Sequence, residues 1–289
     1  MVGNGSKVSS VMQYMIDLYI DLCLWCNTVT LIPMTGFETH SYDNPDVLAP
    51  QIRARYEYLE VRSACAIMRA VSPDEWQDIT EVLDQFSFSA DLLLRAGGNN
   101  SEMAETLNVA LRKRGWQECA YERETKGKIT FRSAGVPDED LGTMFESSYW
   151  VDNRKGRVLV DIEWNAKDGN LDRDLSSYRA WYEAGLIDAA MIITKHREDL
   201  LKTACKLWAP HLGVTAEEVE RSSRKARKSR TDWDRQIALP LDLTTTTVTS
   251  LTKARDRVFR GEAGTCPVVV VGISGATWDG TPYHAYNNL

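Results

Sequence analysis

The chain has no uninterrupted apolar run of the length a bilayer demands. Its most apolar early stretch, MIDLYIDLCLWCNTVTLIPM (15–34), is broken by Asp17 and Asp21 and lacks a preceding basic segment. A signal peptide or membrane span is therefore not expected there; a packed helix and strand are, in a protein with a cytoplasmic location. Cysteine is sparse, with six residues scattered through 289. They follow no disulfide-like spacing, and CLWC at 23–26 has no second Cys/His pair to complete a zinc site, so reduced, structural thiols are expected. The four histidines, at 40, 196, 211 and 284, are too widely spaced to suggest a metal or catalytic cluster. Internal repeats are absent, and low complexity is confined to LTTTTVT (243–249).

Positive charge is also short. The formal net charge is −7, which taken alone argues against a polyanionic partner, since neutralising phosphates takes basic surface. One segment runs against that average. RSSRKARKSR (221–230) places six Arg/Lys in ten residues, directly after the acidic TAEEVE. It reads as a solvated helix face or as a phosphate clamp.

What is present is an ordinary globular composition, 43% hydrophobic and 26% charged, over a length that buries a substantial core. Residues 1–50 read as an N-terminal extension and 51–289 as the main domain. Periodicity and capping predict helices over about 51–70, 73–86 and 101–115; the second has Ser72 as N-cap and Pro73 at its first position. The period then becomes two, with a hairpin over 118–133 turning at Gly127 and another over 147–164. A helix near 173–184, a buried strand at 188–195, a helix near 197–208, a helix around 247–260 and a last buried strand at 266–275 complete the pattern. Helices first, then alternating strands and helices, predict an α/β fold with a mixed sheet flanked by helices.

The chemistry concentrates in RVLVDIEWNAKDG (157–169). Val158, Val160, Ile162 and Trp164 alternate as a core-facing row, and Asp161 and Glu163 share the opposite side. Like charges side by side on a strand destabilise it unless something positive intervenes. A type II′ turn at Gly156–Arg157 pairs residue 155 with 158 and sets Asp152 across from Asp161; a turn at Lys155–Gly156 keeps Asp152 on the same face. Either register converges three acids, and three acids without an interleaved cation call for a divalent ion such as Mg²⁺. Such a site suits water attack on a phosphodiester. The blander alternative is a pair of acids facing water on an edge strand.

The segment WVDNRKGRVLVDIEWNAKDG, followed by a helix and DAAMIITK, resembles the core of PD-(D/E)xK endonucleases. More narrowly it is similar to the BglII/BstYI group of type II restriction enzymes. SPDEWQDITEVLDQF (72–86), LNVALRKRGWQE (107–118) and PVVVVGI (267–273) extend the likeness over roughly 55–275, while residues 1–50 and 205–250 have no counterpart. The resemblance implies catalytic Asp152, Asp161 and Glu163, with Asp152 and Asp161 as metal ligands. Glu163 stands where most of the superfamily has Lys and this group has Gln, although BamHI also has Glu; it is a general base or a ligand through water. The resemblance further implies a Mg²⁺-dependent homodimer that cuts palindromic double-stranded DNA, its site perhaps containing GATC. Staggered ends bearing 5′-phosphate and a companion DNA methyltransferase are implied with it.

Asn165 and Lys167, just after the third position, are candidate groove-reading residues, Asn165 toward adenine and Lys167 toward guanine or phosphate. Ser222, Ser223, Arg224 and Arg227 are candidate DNA contacts, and Glu146 a candidate auxiliary acid. The competing functions are another PD-(D/E)xK nuclease acting in repair or nicking, and a non-catalytic DNA-binding protein. A glycosidase fits poorly, because its two carboxylates must flank a sugar from opposite faces.

Overall fold

A computed structural model describes residues 36–284 apart from 96–100, 148, 168 and 240. Most of residues 1–50, including Cys23 and Cys26, lies outside the described residues. Residues 37–289 form one compact unit.

In chain order the strands are β1 (Glu38–Thr39), β2 (Tyr56–Val61), β3 (Gln117–Cys119), β4 (Glu122–Ile129), β5 (Glu139–Ser147), β6 (Val151–Lys155), β7 (Val158–Glu163), β8 (Ala189–Lys195) and β9 (Val268–Ile273). The longer helices are α1 (Ala64–Val71), α2 (Pro73–Gln85), α3 (Glu102–Arg112), α4 (Asn170–Glu183), α5 (Arg197–Leu212), α6 (Ala216–Arg224) and α7 (Leu251–Phe259). Seven strands make one mixed sheet in the order β1-β2-β9-β8-β7-β6-β3. The β7–β8 and β8–β9 pairs are parallel and the outer pairs antiparallel. This is the expected mixed α/β architecture, of the restriction-endonuclease-like kind.

Helices cover both faces of the sheet. Val158, Val160, Ile162 and Trp164 lie in one core with Trp76, Leu107 and Trp116 of the α2–α3 side. Leu159, Ala190, Ile192 and Val270 lie in the other, against Leu171, Leu175 and Tyr178 of α4 and Leu251 of α7. Burial on two faces explains why the central strands read as continuous apolar runs.

Two sequence expectations are corrected here. Residues 51–70 are not one helix: a helical turn at Pro50–Arg53 leads into β2, and only then α1. Tyr56 and Tyr58 of β2 face one core and Leu59 and Val61 the other, so no period of two shows. Glu60 is fully buried yet satisfied, accepting from Thr39 Oγ1, Ser41 N, Ser41 Oγ and Cys65 N. Nor does the first hairpin turn at Gly127. That glycine lies mid-strand opposite Gly142, and β4–β5 form a separate two-stranded ribbon whose loop is residues 130–138. A Cβ at Gly127 would sit 3.1 Å from Leu141 Cβ, so the glycine serves a close approach beside a bulge. Among the described residues no helix is long and apolar enough to cross a membrane.

Candidate active site

The β6–β7 hairpin turns at Gly156–Arg157, with Lys155 paired to Val158, Arg154 to Leu159 and Asn153 to Val160. Gly156 has φ of 50°, a left-handed conformation that glycine adopts without a Cβ penalty. The backbone ladder then stops. Asp152 N–H donates to Asp161 Oδ1 at 2.6 Å, and Ile162 N–H donates to Asp152 Oδ2 at 3.1 Å. Each aspartate thus takes a backbone donor from the opposite strand, and the two strands separate with carboxylates filling the gap.

The acid side of β7 is only partly open to the cleft, with Glu163 half-buried. It packs beneath α4, where Asp161 is buried and its Oδ2 accepts from Tyr178 O–H at 2.5 Å. Asp174 of the same helix lies beside Glu163, and each carboxyl perturbs the other. Asp174 is a member of the cluster that the sequence reading missed. Its signal was an acid inside the buried stripe Leu171–Asp174–Leu175–Tyr178, at i, i+3, i+4, i+7 spacing.

Burial and mutual repulsion hold these carboxyls protonated to unusually high pH. Burial chiefly, then the Asp152 charge, pushes Asp161 up to about 8. The same two causes push Glu163 to about 7. Burial, then Asp161 and Glu163, push Asp174 to about 9. Asp152 is raised as well, by burial first. Arg173 draws Glu163 and Asp174 downward without overcoming burial.

These features fit a hard divalent cation. The buried oxygens Glu163 Oε2 and Asp174 Oδ2 have no hydrogen-bond partner among the described residues, and all donors in the cluster are oxygens. Among those residues no three His, Cys, Asp or Glu side chains close around a metal position.

A cleft of about 490 Å³ opens beside the acids, lined by Glu105 and Asn108 of α3 together with Asp152, Glu163, Asn165 and Lys167. Glu105 and Asn108 were not anticipated. Asn108 Oδ1 accepts from Asn153 Nδ2 at 2.7 Å, tying α3 to the hairpin. Lys167 is exposed and forms an isolated antiparallel bridge with Val248.

The basic run is arranged otherwise than expected. Ser222 and Ser223 are buried on the inner side of α6. Ser222 Oγ donates to Asp234 Oδ1 at 2.8 Å, and Ser223 Oγ accepts from Leu239 N at 2.9 Å. Both hydroxyls are thereby used inside the protein, which corrects their reading as DNA contacts. Arg224 pairs with Glu198 and Glu220, each at 2.8 Å. Arg227 is exposed in a short 3₁₀ turn. Glu146 lies on β5 of the separate ribbon, where it is exposed and paired to Arg123.

Fold and site together define a restriction-endonuclease-like α/β protein with a cluster of carboxylates at the end of β7. The family model described as restriction endonuclease BglII/BglIII matches residues 56–273. The chain belongs to that family, and is a type II restriction endonuclease acting on DNA. No curated protein matches the chain. The matched span runs from the first residue of β2 to the last of β9, so it takes in every strand of the large sheet except β1, together with the cleft.

Proposed function

We propose that the protein is a Mg²⁺-dependent, sequence-specific endonuclease that hydrolyses double-stranded DNA at a short palindromic site and leaves staggered ends bearing 5′-phosphate. It acts as a homodimer, one active site per strand, alongside a DNA methyltransferase that protects the same site. A site containing GATC is part of the proposal. So is the division of the chain into an N-terminal extension over 1–50 and a catalytic and DNA-binding domain over 51–289.

The observation that carries the reading is the convergence of three carboxyls, buried Asp161 with half-buried Asp152 and Glu163, at the margin of a polar cleft. Asp152 and Asp161 would hold the Mg²⁺, which would supply Lewis-acid activation of the scissile phosphate, of the attacking water and of the leaving 3′-oxygen. Tyr178 orients Asp161 through its hydroxyl. Glu163 faces Asp174 at the cleft margin and accepts the proton of the attacking water. Asn165 and Lys167 line the same cleft and contact the DNA there, while Arg227 binds a phosphate.

The test is digestion of a DNA of known sequence with Mg²⁺, followed by sequencing of the ends. Discrete fragments with uniform overhangs are expected. A smear would assign a non-specific nuclease of the same superfamily instead, and no cutting with any divalent metal would sink the reading.

A further inference from the structure

The inference concerns the charge balance of the acid cluster, and it rests on the reading of that cluster as the place where a phosphodiester is cut. Asp152, Asp161, Glu163 and Asp174 act on one another there, and a scissile phosphate brings a further negative charge. Two arginines act on these acids. Arg112 draws Asp152 downward, but its guanidinium is already paired to Glu105 at 3.2 Å. Arg173 draws Glu163 and Asp174 downward. Among the described residues it has no ion pair and no hydrogen bond; its guanidinium carbon lies over the Tyr149 ring, 5.0 Å from the centre.

Stability does not account for that placement. Arg173 is exposed in the first turn of α4, where a cation opposes the helix dipole. Helical side chains lean toward the N-terminus and neighbour the residue three positions back. For Arg173 that residue is Asn170, which lines the cleft together with Asp152 and Glu163. Tyr149 belongs to the same place, three residues before Asp152 in the chain. An aromatic face attracts a guanidinium and leaves its in-plane N–H donors open, whereas a carboxylate would use the donors and cancel the charge. Arg173 is thus placed without being neutralised.

We propose that Arg173 is a further catalytic residue, whose guanidinium donates to the non-bridging oxygens of the scissile phosphate and stabilises the charge that builds on them during hydrolysis. In that step the water oxygen bonds to phosphorus as the bond to the 3′-oxygen breaks. Glu163 takes one proton of the water, and the leaving 3′-oxygen takes a proton from solvent. Arg173 exchanges no proton, because it stays charged throughout. Tyr149 is a positioning residue that holds the guanidinium fork beside the cleft.

The experiment takes a duplex that the wild-type chain cuts and measures single-turnover cleavage with Mg²⁺ by wild type, Arg173→Gln, Arg173→Lys and Tyr149→Leu. Metal-free binding is measured to the same duplex with the scissile phosphate as diester or as neutral methylphosphonate, and melting temperatures are recorded. Arg173→Gln is expected to cut about a hundredfold more slowly, with no lower melting temperature. Arg173→Lys keeps the charge but not the fork, so it should retain more activity than Arg173→Gln. Tyr149→Leu should slow cleavage less than Arg173→Gln does. Arg173→Gln should also weaken binding to the diester duplex but not to the methylphosphonate duplex, a difference that a merely structural role would not produce. Cleavage by Arg173→Gln at close to the wild-type rate, or equal weakening on both duplexes, would overturn the proposal while leaving the endonuclease reading intact. A wild-type chain that cuts no DNA with any divalent metal overturns both.

Discussion

The acid cluster at the end of β7 and the basic run at 221–230 are both dense in ionisable groups, and they handle charge in opposite ways. Around the basic run the neighbours answer it. Arg224 has Glu198 and Glu220. Lys225 pairs with Asp234 at 2.7 Å and, with Ser222 and Thr231, holds that carboxyl far below its ordinary range. Under α4 the charges are not answered: Asp161, Glu163 and Asp174 crowd one another in the interior and are pushed upward instead. Compensated charge of the first kind is structural. Uncompensated buried charge costs stability and persists where chemistry uses it. From the sequence the basic run reads as a solvated face or a phosphate clamp; in the fold much of it holds α6 in place.

The comparison breaks most decisively at the acids. Asp152→Ala or Asp161→Asn is expected to lower cleavage by about a thousandfold or more, ~4 kcal/mol of barrier, while DNA binding is largely kept. Plasmid cleavage with Mg²⁺ and a gel-shift titration measure the two. Either variant cutting at the wild-type rate would remove the cluster from the chemistry.

Next is the pH dependence of the metal-free protein. Carboxyls free in the unfolded chain titrate near 4, whereas Glu163, Asp161 and Asp174 titrate at about 7, 8 and 9 in the fold. The folded state therefore holds more protons across that window, so stability is highest on its acid side and falls as pH rises through it. Melting curves without metal should fall steadily from pH 6 to 9, and added Mg²⁺ should restore most of the loss at the alkaline end. A flat profile would mean that the acids are compensated after all.

On the basic side, Ser223→Ala leaves the Leu239 N–H without its buried acceptor and should cost about 1–2 kcal/mol of stability in a denaturant titration. The folded variant should cleave normally. The smallest effect is expected from Arg227→Ala, which should weaken DNA binding a fewfold and reduce the slope of log affinity against log salt by about one. An unchanged slope would make even Arg227 a merely solvated charge.

The β6–β7 hairpin was readable because two local rules agree there: glycine for a left-handed turn, and alternation on β7. Together they gave the register through Asn153 and Val160. Asp152 and Asp161 were placed on one patch for the same reason, but the exchange of backbone donors between them is a tertiary event that no pattern announces. β2 was lost because a strand buried on both faces has no period, and its Glu60 looks like a helix-surface charge until Ser41 and Cys65 meet it. Ser222 and Ser223 were misjudged by their basic neighbours. Their spacing from Val219, three and four residues, already put them on the inner side of α6. Asp174 was passed over because a single acid in a helical stretch is usually solvent-facing; only its apolar stripe spoke against that.

The paired aspartates also make the hairpin a ruler. The separation of Asp152 from Asp161 is set by a two-residue turn and three rungs. Adding one residue anywhere between them sends one carboxylate to the other face of the sheet. Adding two returns it to the right face but carries it past the N–H that receives it. Among descendants of this gene, apolar residues at 158–160 can be exchanged for others of similar volume, whereas the number of residues in the interval cannot drift. Insertions and deletions should accumulate instead in the 130–138 loop of the ribbon, where no rung of the large sheet is counted.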